Sequence, residues 1–192
     1  DRYKYMPFSL FNKVVSWMLK KRIHQIELFI KYPHDVQSEV LKKLITQSKD
    51  TLIGKGYDFK SINNYNDFSK RIPARTYEEF FAYINKTIKG EQNIFWNENI
   101  KWFAQSSGTT NSKSKFIPVS NSALENCHFK AGKDMLCLYI NNNENSSIFS
   151  GKSLRLGGSR KIYENNNNYF GDLSAILICL LYTSPSPRDF TE

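Results

Sequence analysis

The sequence predicts an α/β fold in which helices come first and strands alternate with helices later. Two patterns lead to this prediction. Through much of residues 10–90, apolar side chains recur at spacings of three and four, which is typical of helices with one buried face. From residue 101 onward, short apolar runs are separated by polar loops, which indicates strands. Helices followed by this alternation favour the α/β class.

Composition excludes several classes of protein. The chain has 192 residues, of which 40% are hydrophobic and 15% aromatic, so we expect a packed core and not wholesale disorder. No apolar run reaches the ~18 residues that a membrane-spanning helix needs, so no membrane partner is expected. The three cysteines are too few for a disulfide scaffold and lack the spacing of a metal site, which favours a reducing, cytoplasmic setting.

The net charge of +9 suggests an anionic partner. Nucleic acid is the first candidate, but the lysines are scattered over the whole chain and no recognition motif accompanies them. A bias toward Lys, Asn and Ile is also what a skewed coding composition produces. We therefore expect no nucleic-acid partner.

The first two helices are predicted on either side of Pro33. Residues 10–31 carry an apolar stripe with lysines between its members, and Pro33 ends this helix. Asp35 is the predicted N-cap of the second helix. Its apolar face comprises Val36, Val40, Leu41, Leu44 and Ile45. Both stripes have ordinary width, so we expect them to pack into the core rather than to bind a membrane or a partner.

Two capping boxes mark later helices, because Ser or Thr with Glu three residues on satisfies amides at a helix N-terminus. Thr76 and Glu79 open a helix that Gly90 closes. Ser122 and Glu125 open another, which ends before an Asn-rich loop. The predicted inner side of this second helix consists of Leu124, His128, Ala131, Met135 and Leu138.

Four short strands are predicted from runs of apolar residues. They comprise residues 101–105, 116–119, 154–156 and 174–181. The last run is continuously apolar, so a buried strand is expected there. Asp172, just before it, is predicted either as a turn residue or as a side chain that faces a substrate pocket.

Residues 106–115, between the first two strands, have the composition of a phosphate-binding loop. Gly108 permits a tight turn, and exposed amides in such a turn form a concavity that binds anions. Hydroxyl groups can donate hydrogen bonds to phosphate oxygens, and lysines add positive charge. The side chains concerned are those of Ser106, Ser107, Thr109, Thr110, Lys113 and Lys115.

This segment is not the common P-loop, which needs a second glycine where Lys113 stands. The triplet that begins at Gly151 also fails, because Ser146 occupies the position of the earlier glycine. A polar hairpin loop without function is the simpler interpretation. The flanking strands, with a lysine at the far end of the loop, favour phosphate binding.

The five residues from Ser106 to Thr110 are followed by Lys115, seven residues after Gly108, and then by Phe-Ile-Pro. This arrangement resembles the first nucleotide-binding motif of adenylate-forming enzymes, in the form found in the auxin-responsive-promoter family of acyl-acid amido synthetases. One departure is Ser112, where many members of the family carry glycine. Further matches within residues 6–178 are Tyr77-Glu78-Glu79-Phe80, Gly90-Glu91, Trp102-Phe103, Gly151-Lys152, Gly157-Gly158 and Gly171-Asp172-Leu173-Ser174-Ala175.

The resemblance implies the N-terminal part of the large adenylate-forming domain and a reaction in two steps. A carboxylic acid attacks the α-phosphate of ATP to give an acyl-adenylate and pyrophosphate, and an amine or amino acid then displaces AMP to form an amide. ATP and Mg²⁺ are the implied cofactors, and no catalytic residue is assigned. The implied ATP-binding residues are Ser106, Ser107, Thr109 and Thr110 for the phosphates, Gly108 for the turn, and Lys115 for a phosphate or for holding the loop.

The domain boundaries also follow from the resemblance. The two remaining nucleotide motifs of the family do not occur, which implies an N-terminal fragment that is inactive alone. Residues 6–178 are assigned to the adenylating domain, and residues 1–5 to upstream translation, because Met6 resembles a natural start. Residues 179–192 resemble the translation of a sequencing-library adapter, so an artefactual tail is expected there; a natural Ser-Pro linker is the alternative.

The remaining polar candidates are predicted to be structural. His128 is expected to be a core or boundary residue on the apolar side of a helix, and Cys127 and Cys137 are expected to be buried. His24 and His34 lack partners at metal-ligand spacing, so no metal site is expected.

Three other functions stay open from the sequence. One is a related adenylate-forming ligase that transfers the acyl group to coenzyme A, which differs from an amido synthetase in its acceptor site. Another is a basic module that binds phosphate or nucleic acid without catalysis, and salt-sensitive oligonucleotide binding would indicate it. The third is a structural α/β domain with an inert loop.

Overall fold

The computed structural model describes residues 8–106, 114–143, 145–149, 163–165 and 167–183, without the side chains of residues 8–12, 163–165 and 181–183. The chain divides into two compact units. The two-helix unit comprises residues 1–37 and 125–155, and the sheet unit comprises residues 38–124 and 156–192. The predicted strand at 154–156 and the predicted upstream residues 1–5 lie outside the described residues, and only residues 179–183 of the predicted tail lie within them.

The first helix, α1 (Phe8–Lys31), is where the apolar spacing predicts it. The second, α2 (Pro33–Ser48), begins two residues before the predicted N-cap, so that prediction was wrong: Asp35 lies in the first turn. Proline suits a first turn because its missing N–H has no partner to lose there. The Val36 amide donates to the Tyr32 carbonyl at 3.1 Å, so helical bonding resumes directly after α1.

The predicted capping box at Ser122 is also wrong, because the cap lies two residues earlier. The Ser120 hydroxyl accepts a hydrogen bond from the Ala123 amide at 3.0 Å, and a short helix, α6 (Asn121–Ala123), follows. A π-helical segment (Leu124–Phe129) then leads into α7 (Lys130–Asn142). Because a π-helical turn holds more residues than an α-helical one, it shifts which later residues share a face.

The buried face of α7 therefore differs from the prediction. Cys137 and Ile140 are fully buried, whereas Met135 is 65% exposed. Ala131 and Leu138 are exposed as well. Leu124, in the π-helical segment, is buried as predicted.

The predicted burial of two cysteines is confirmed for Cys137 and wrong for Cys127, which is exposed. The Cys137 thiol donates to the Leu19 carbonyl, which joins α7 to α1. Burial raises the pKa of this thiol above its usual value, so it stays protonated in its apolar setting.

An ion pair joins α1 to α7 within the two-helix unit. Arg22 donates from Nε to Asp134 Oδ1 at 2.7 Å and from Nη2 to Oδ2 at 3.0 Å. The side chains are 17% and 25% exposed, so solvent screens the pair only in part. The Arg22 hydrogen bonds hold the pKa of the Asp134 carboxyl below its usual value.

Replacing Asp134 with asparagine should lower the free energy of unfolding of the two-helix unit by about 2 kcal/mol at neutral pH. The carboxyl has a lower pKa in the folded state, so its contribution is present above the ordinary pKa and is lost as pH falls below about 4. Amide exchange of α7 measured against pH checks this. Glu27→Gln is the control, because its partner His24 lies 3.8 Å away on the surface. Equal effects of the two substitutions would contradict a stabilising pair.

Short helices open the sheet unit and enclose a small core. They are α3 (Leu52–Gly56), a 3₁₀ turn (Phe59–Ser61) and α4 (Tyr65–Arg71). Ile45 of α2 packs there with Phe59 and Ile62, all buried. Side chains packed around these three are Leu41, Ile53, Tyr57, Phe68 and Ile72.

The capping box of α5 (Tyr77–Ile88) is confirmed. The Glu79 amide donates to the Thr76 hydroxyl at 3.4 Å, and the Thr76 amide donates to the Glu79 carboxylate at 2.6 Å. Gly90 follows the helix with a φ of +95°, which is the conformation that glycine supplies after a helix.

Within the described residues, four strands form one sheet in the order β2-β1-β4-β3. Strands β1 (Trp102–Gln105) and β2 (Phe116–Val119) confirm two of the predictions and pair antiparallel. Strands β3 (Tyr163–Asn165) and β4 (Asn168–Gly171) were not predicted; β4 is parallel to β1 and antiparallel to β3. On one face, Phe103 and Phe170 form a core with Ile100.

The predicted strand at 174–181 is wrong, because these residues form helix α8 (Leu173–Thr183). A short run that is apolar throughout has no alternation, so periodicity cannot separate a buried strand from a buried helix. Leucine and alanine favour the helix, and the Ile176 amide donates to the Asp172 carbonyl at 3.0 Å. No helix in the described part of the chain combines the length and apolar character needed to cross a membrane.

Candidate functional site

The hydroxyl-rich segment connects two paired strands. Gln105 of β1 lies opposite Phe116 of β2, and one residue further out the Ser106 amide donates to the Lys115 carbonyl at 2.9 Å. The structure therefore brings together Ser106 and Lys115, the two ends of the predicted phosphate-binding residues. The others, Ser107, Gly108, Thr109 and Thr110, lie outside the described residues, as does Lys113.

The segment starts at an edge of the sheet where two parallel strands end together. Ala104 of β1 lies opposite Gly171 of β4, so Ser106 and Asp172 both follow the carboxyl ends of their strands. Helix α8 begins directly after Asp172, with its N-terminus at this edge. In open α/β sheets, ligands bind outside the carboxyl ends of parallel strands, and a helix N-terminus favours negative charge.

The Lys115 side chain is held by the first turn of α5. Its ammonium lies 3.3 Å from Glu78 Oε1 and 5.0 Å from the centre of the Tyr77 ring. The Tyr77 hydroxyl accepts a hydrogen bond from the Phe116 amide at 2.9 Å. The first turn of α5 thus contacts both the lysine and the residue after it.

Glu78 carries its charge at low cost in this position. Its own backbone amide, and then the Lys115 ammonium, hold the pKa of the Glu78 carboxyl below its usual value. Negative charge in the first turn of a helix is also favoured by the helix dipole. The carboxylate is therefore ionised with or without the lysine beside it.

Sequence reasoning gave no role to Tyr77 or Glu78. The capping box predicted the first turn of α5, but not that this turn faces Lys115. Both residues belong to Tyr77-Glu78-Glu79-Phe80, one of the matches to the family, and they lie between the two residues of the capping box. This was the sequence signal that could have identified them.

A second carboxylate joins the loop before β1 to the helix after β2. Glu98 accepts hydrogen bonds from the Ser122 amide at 3.0 Å, from the Ser122 hydroxyl, and from Trp96 Nε1 at 3.2 Å. Burial works to raise the pKa of Glu98, but these hydrogen bonds together hold the pKa below its usual value. Ser122, predicted as a cap, is thus a donor to Glu98.

The histidines belong to no metal-binding cluster in the described residues. His24 and His34 are exposed, and His128 is half-buried. Among the residues that the structure describes, no three His, Cys, Asp or Glu side chains are grouped so that they could hold a metal ion.

Comparison with known proteins decides the family. The model of the GH3 family N-terminal domain matches residues 22–186. The chain belongs to the GH3 family. This confirms the resemblance drawn from the motif at Ser106–Thr110 and from the further matches along the chain.

Curated GH3 relatives are all much longer than this chain. It is 25% identical over 118 residues to the Arabidopsis thaliana indole-3-acetic acid-amido synthetase GH3.5, covering 61% of the chain and 19% of the relative. It is 27% identical over 107 residues to the Nicotiana attenuata jasmonoyl--L-amino acid synthetase JAR6, covering 55% of the chain and 18% of the relative. The chain thus spans about a fifth of the length of these two relatives.

Solved GH3 structures share the fold. The GH3.15 acyl acid amido synthetase matches with a TM-score of 0.71 at 20% identity, over 83% of this chain and 29% of that one. The AtGH3.15 acyl acid amido synthetase in complex with 2,4-DB matches with a TM-score of 0.65, over 91% and 29%. The α/β prediction is therefore confirmed, as helices and a small sheet that match the N-terminal part of a GH3 enzyme.

Proposed function

We propose that this GH3 chain supplies the phosphate-binding segment of an ATP-dependent acyl-acid amido synthetase. One observation carries the proposal: the hydroxyl-rich segment leaves and re-enters the sheet between Ser106 and Lys115, at the edge where β1 and β4 both end. A segment rich in amide and hydroxyl donors at such an edge suits a polyanion.

The reaction has two steps. A carboxylate oxygen attacks the α-phosphorus of ATP. The bond from the α-phosphorus to the oxygen that bridges to the β-phosphate breaks, and acyl-AMP and pyrophosphate form. An amine then attacks the acyl carbon, AMP leaves with the electron pair of the broken C–O bond, and the amine loses a proton. AMP is a good leaving group where oxide is a poor one, so the first step makes the second possible.

The main electrostatic problem is repulsion between an anionic acid and a polyanionic nucleotide. Backbone amides, the hydroxyls of Ser106, Ser107, Thr109 and Thr110, and the Lys115 ammonium reduce this repulsion from the protein side. Mg²⁺, when bound, would neutralise phosphate charge and so reduce the same repulsion.

The substrates belong to two classes of small molecule. The relatives are named as an indole-3-acetic acid-amido synthetase and a jasmonoyl--L-amino acid synthetase. We extend this to a carboxylic acid and an amine or amino acid for the present protein. A cytoplasmic setting completes the proposal, supported by Cys127 and Cys137, which form no disulfide in the described part of the chain.

The test is acid-dependent pyrophosphate exchange in a full-length GH3 relative. Alanine at the residues that match Thr109 and Lys115 should slow exchange by about 100-fold each, as expected when a donor to developing phosphate charge is lost. Alanine at the residue that matches Lys113, a lysine of the same segment expected to be solvated, is the control and should change the rate by less than about twofold. Unchanged exchange in the first two variants would refute the proposal.

A further inference from the structure

We propose that Glu78 is the resident counter-ion of Lys115, that a bound triphosphate replaces it, and that Tyr77 is the positioning residue that keeps the lysine in place during the exchange. This inference rests on the proposed function of the segment and adds two residues to it. Both lie in the first turn of α5, some forty residues before Lys115 in sequence.

The contacts of Lys115 separate into a fixed and an exchangeable part. The Tyr77 ring, 5.0 Å from the ammonium, belongs to a half-buried side chain that also packs on Phe81 with ring centres 6.0 Å apart. The Glu78 carboxylate, 3.3 Å away, is 71% exposed, whereas the Lys115 side chain is 39% exposed. The ring is therefore the stable support, and the carboxylate is the partner open to replacement.

Losing the lysine costs Glu78 little. The carboxylate keeps its backbone amide partner and the favourable helix N-terminus, and solvent reaches it freely. A triphosphate offers the lysine several charged oxygens in place of one exposed carboxylate, and exposed ion pairs are weak. The exchange is thus expected to favour the phosphate.

Tyr77 also determines where β2 begins. Its hydroxyl accepts from the Phe116 amide, and Phe116 lies opposite Gln105 at the loop end of the β1–β2 pair. One side chain therefore supports the backbone at the end of the loop through its hydroxyl and the lysine through its ring. Loss of the hydroxyl should loosen the first support and leave the second.

The experiment is calorimetric titration of the 192-residue chain with inorganic tripolyphosphate and with Mg-ATP. Glu78→Gln should tighten binding by about threefold, because Lys115 no longer has a competing carboxylate. Its matched control is Glu91→Gln, which removes the same charge from a comparable pair with Lys86, 3.1 Å apart and away from the loop. This control should change affinity by less than about 1.5-fold.

Two further variants separate positioning from a general structural role. Tyr77→Phe should weaken binding by about threefold, while Tyr83→Phe in the same helix should leave it unchanged. In a Lys115→Gln background, Glu78→Gln should lose its effect. The unfolding midpoint is measured for every variant. If Glu78 had only a structural role, Glu78→Gln would not raise the affinity while leaving the stability no higher.

Each result decides a part of the inference. If the wild-type chain binds the probes, and Glu78→Gln and Glu91→Gln tighten this binding equally, the counter-ion role is overturned. The proposed function is unaffected by that result. The same holds if the Glu78→Gln effect persists without Lys115. Equal behaviour of Tyr77→Phe and Tyr83→Phe overturns the role of the Tyr77 hydroxyl in positioning the end of the loop. No binding of either probe by the wild-type chain overturns the inference together with the phosphate-binding function.

Discussion

Replacing Phe103 with alanine should lower the free energy of unfolding of the sheet unit by about 4 kcal/mol, which is much of the stability of an ordinary domain. Phe103 has no exposed surface and lies on β1, the strand that pairs with both β2 and β4. Its ring stacks on Phe170 with centres 5.1 Å apart. Alanine would leave a cavity on the face of the sheet that carries Phe103 and Phe170, and the backbone hydrogen bonds of the strands restrict its collapse.

Urea unfolding followed by amide exchange of the strands measures this loss. Phe103→Leu keeps most of the volume and should cost less than about 1.5 kcal/mol. Phe81→Ala, at a side chain that is 45% exposed, should cost about 1 kcal/mol or less. A Phe103→Ala effect no larger than that of Phe81→Ala would show that the core is not centred on β1.

Replacing Gly54 with alanine should destabilise the same unit by about 3 kcal/mol. A Cβ atom at this position would lie 2.0 Å from the Ser48 carbonyl oxygen and 2.9 Å from the Lys49 carbonyl carbon. Both atoms belong to the backbone, so no side chain can rotate away. The buried Thr51 hydroxyl holds the turn together, since it donates to the Ser48 carbonyl at 2.7 Å and accepts from the Gly54 amide at 2.9 Å.

Gly56→Ala is the matched control, two residues further along α3. Nothing lies within 4 Å of its added Cβ, so the same chemical change should stabilise the helix by about 0.5 kcal/mol. Thermal and urea unfolding of the two variants should therefore move in opposite directions. Destabilisation of similar size in both would mean that the close approach to Ser48 is not what distinguishes Gly54 from Gly56.

Predictions from the sequence succeeded where one local rule was enough. The spacing of apolar residues located α1, and the pair Thr76 and Glu79 located the start of α5. They failed where a competing partner lay elsewhere in the chain. Ser122 has the sequence of a cap, but Glu98 binds it, and Ser120 takes its place.

The run at 174–181 failed for a different reason. Consecutive apolar side chains indicate that a segment is buried. They do not show whether its inward-facing positions recur with the period of a helix or with that of a strand. Its helical form, and the position of α8 directly after β4, became clear only from the structure. The same holds for β3 and β4, whose short, Asn-rich sequences carry little strand signal.

By itself, the sequence determined the family, the position of α1, the start of α5 and the chemical character of the segment at 106–115, because residue type and spacing specify each of them locally. The tertiary structure alone decided that Ser106 and Lys115 meet across a strand pair, and that this pair ends beside β4. It alone placed Tyr77 and Glu78 against Lys115. Contacts between distant parts of a chain depend on strand register and helix packing, which no local pattern encodes. For this reason the phosphate-binding role of the segment stays a prediction from the sequence, while the contacts of Tyr77 and Glu78 with Lys115 became known only from the structure.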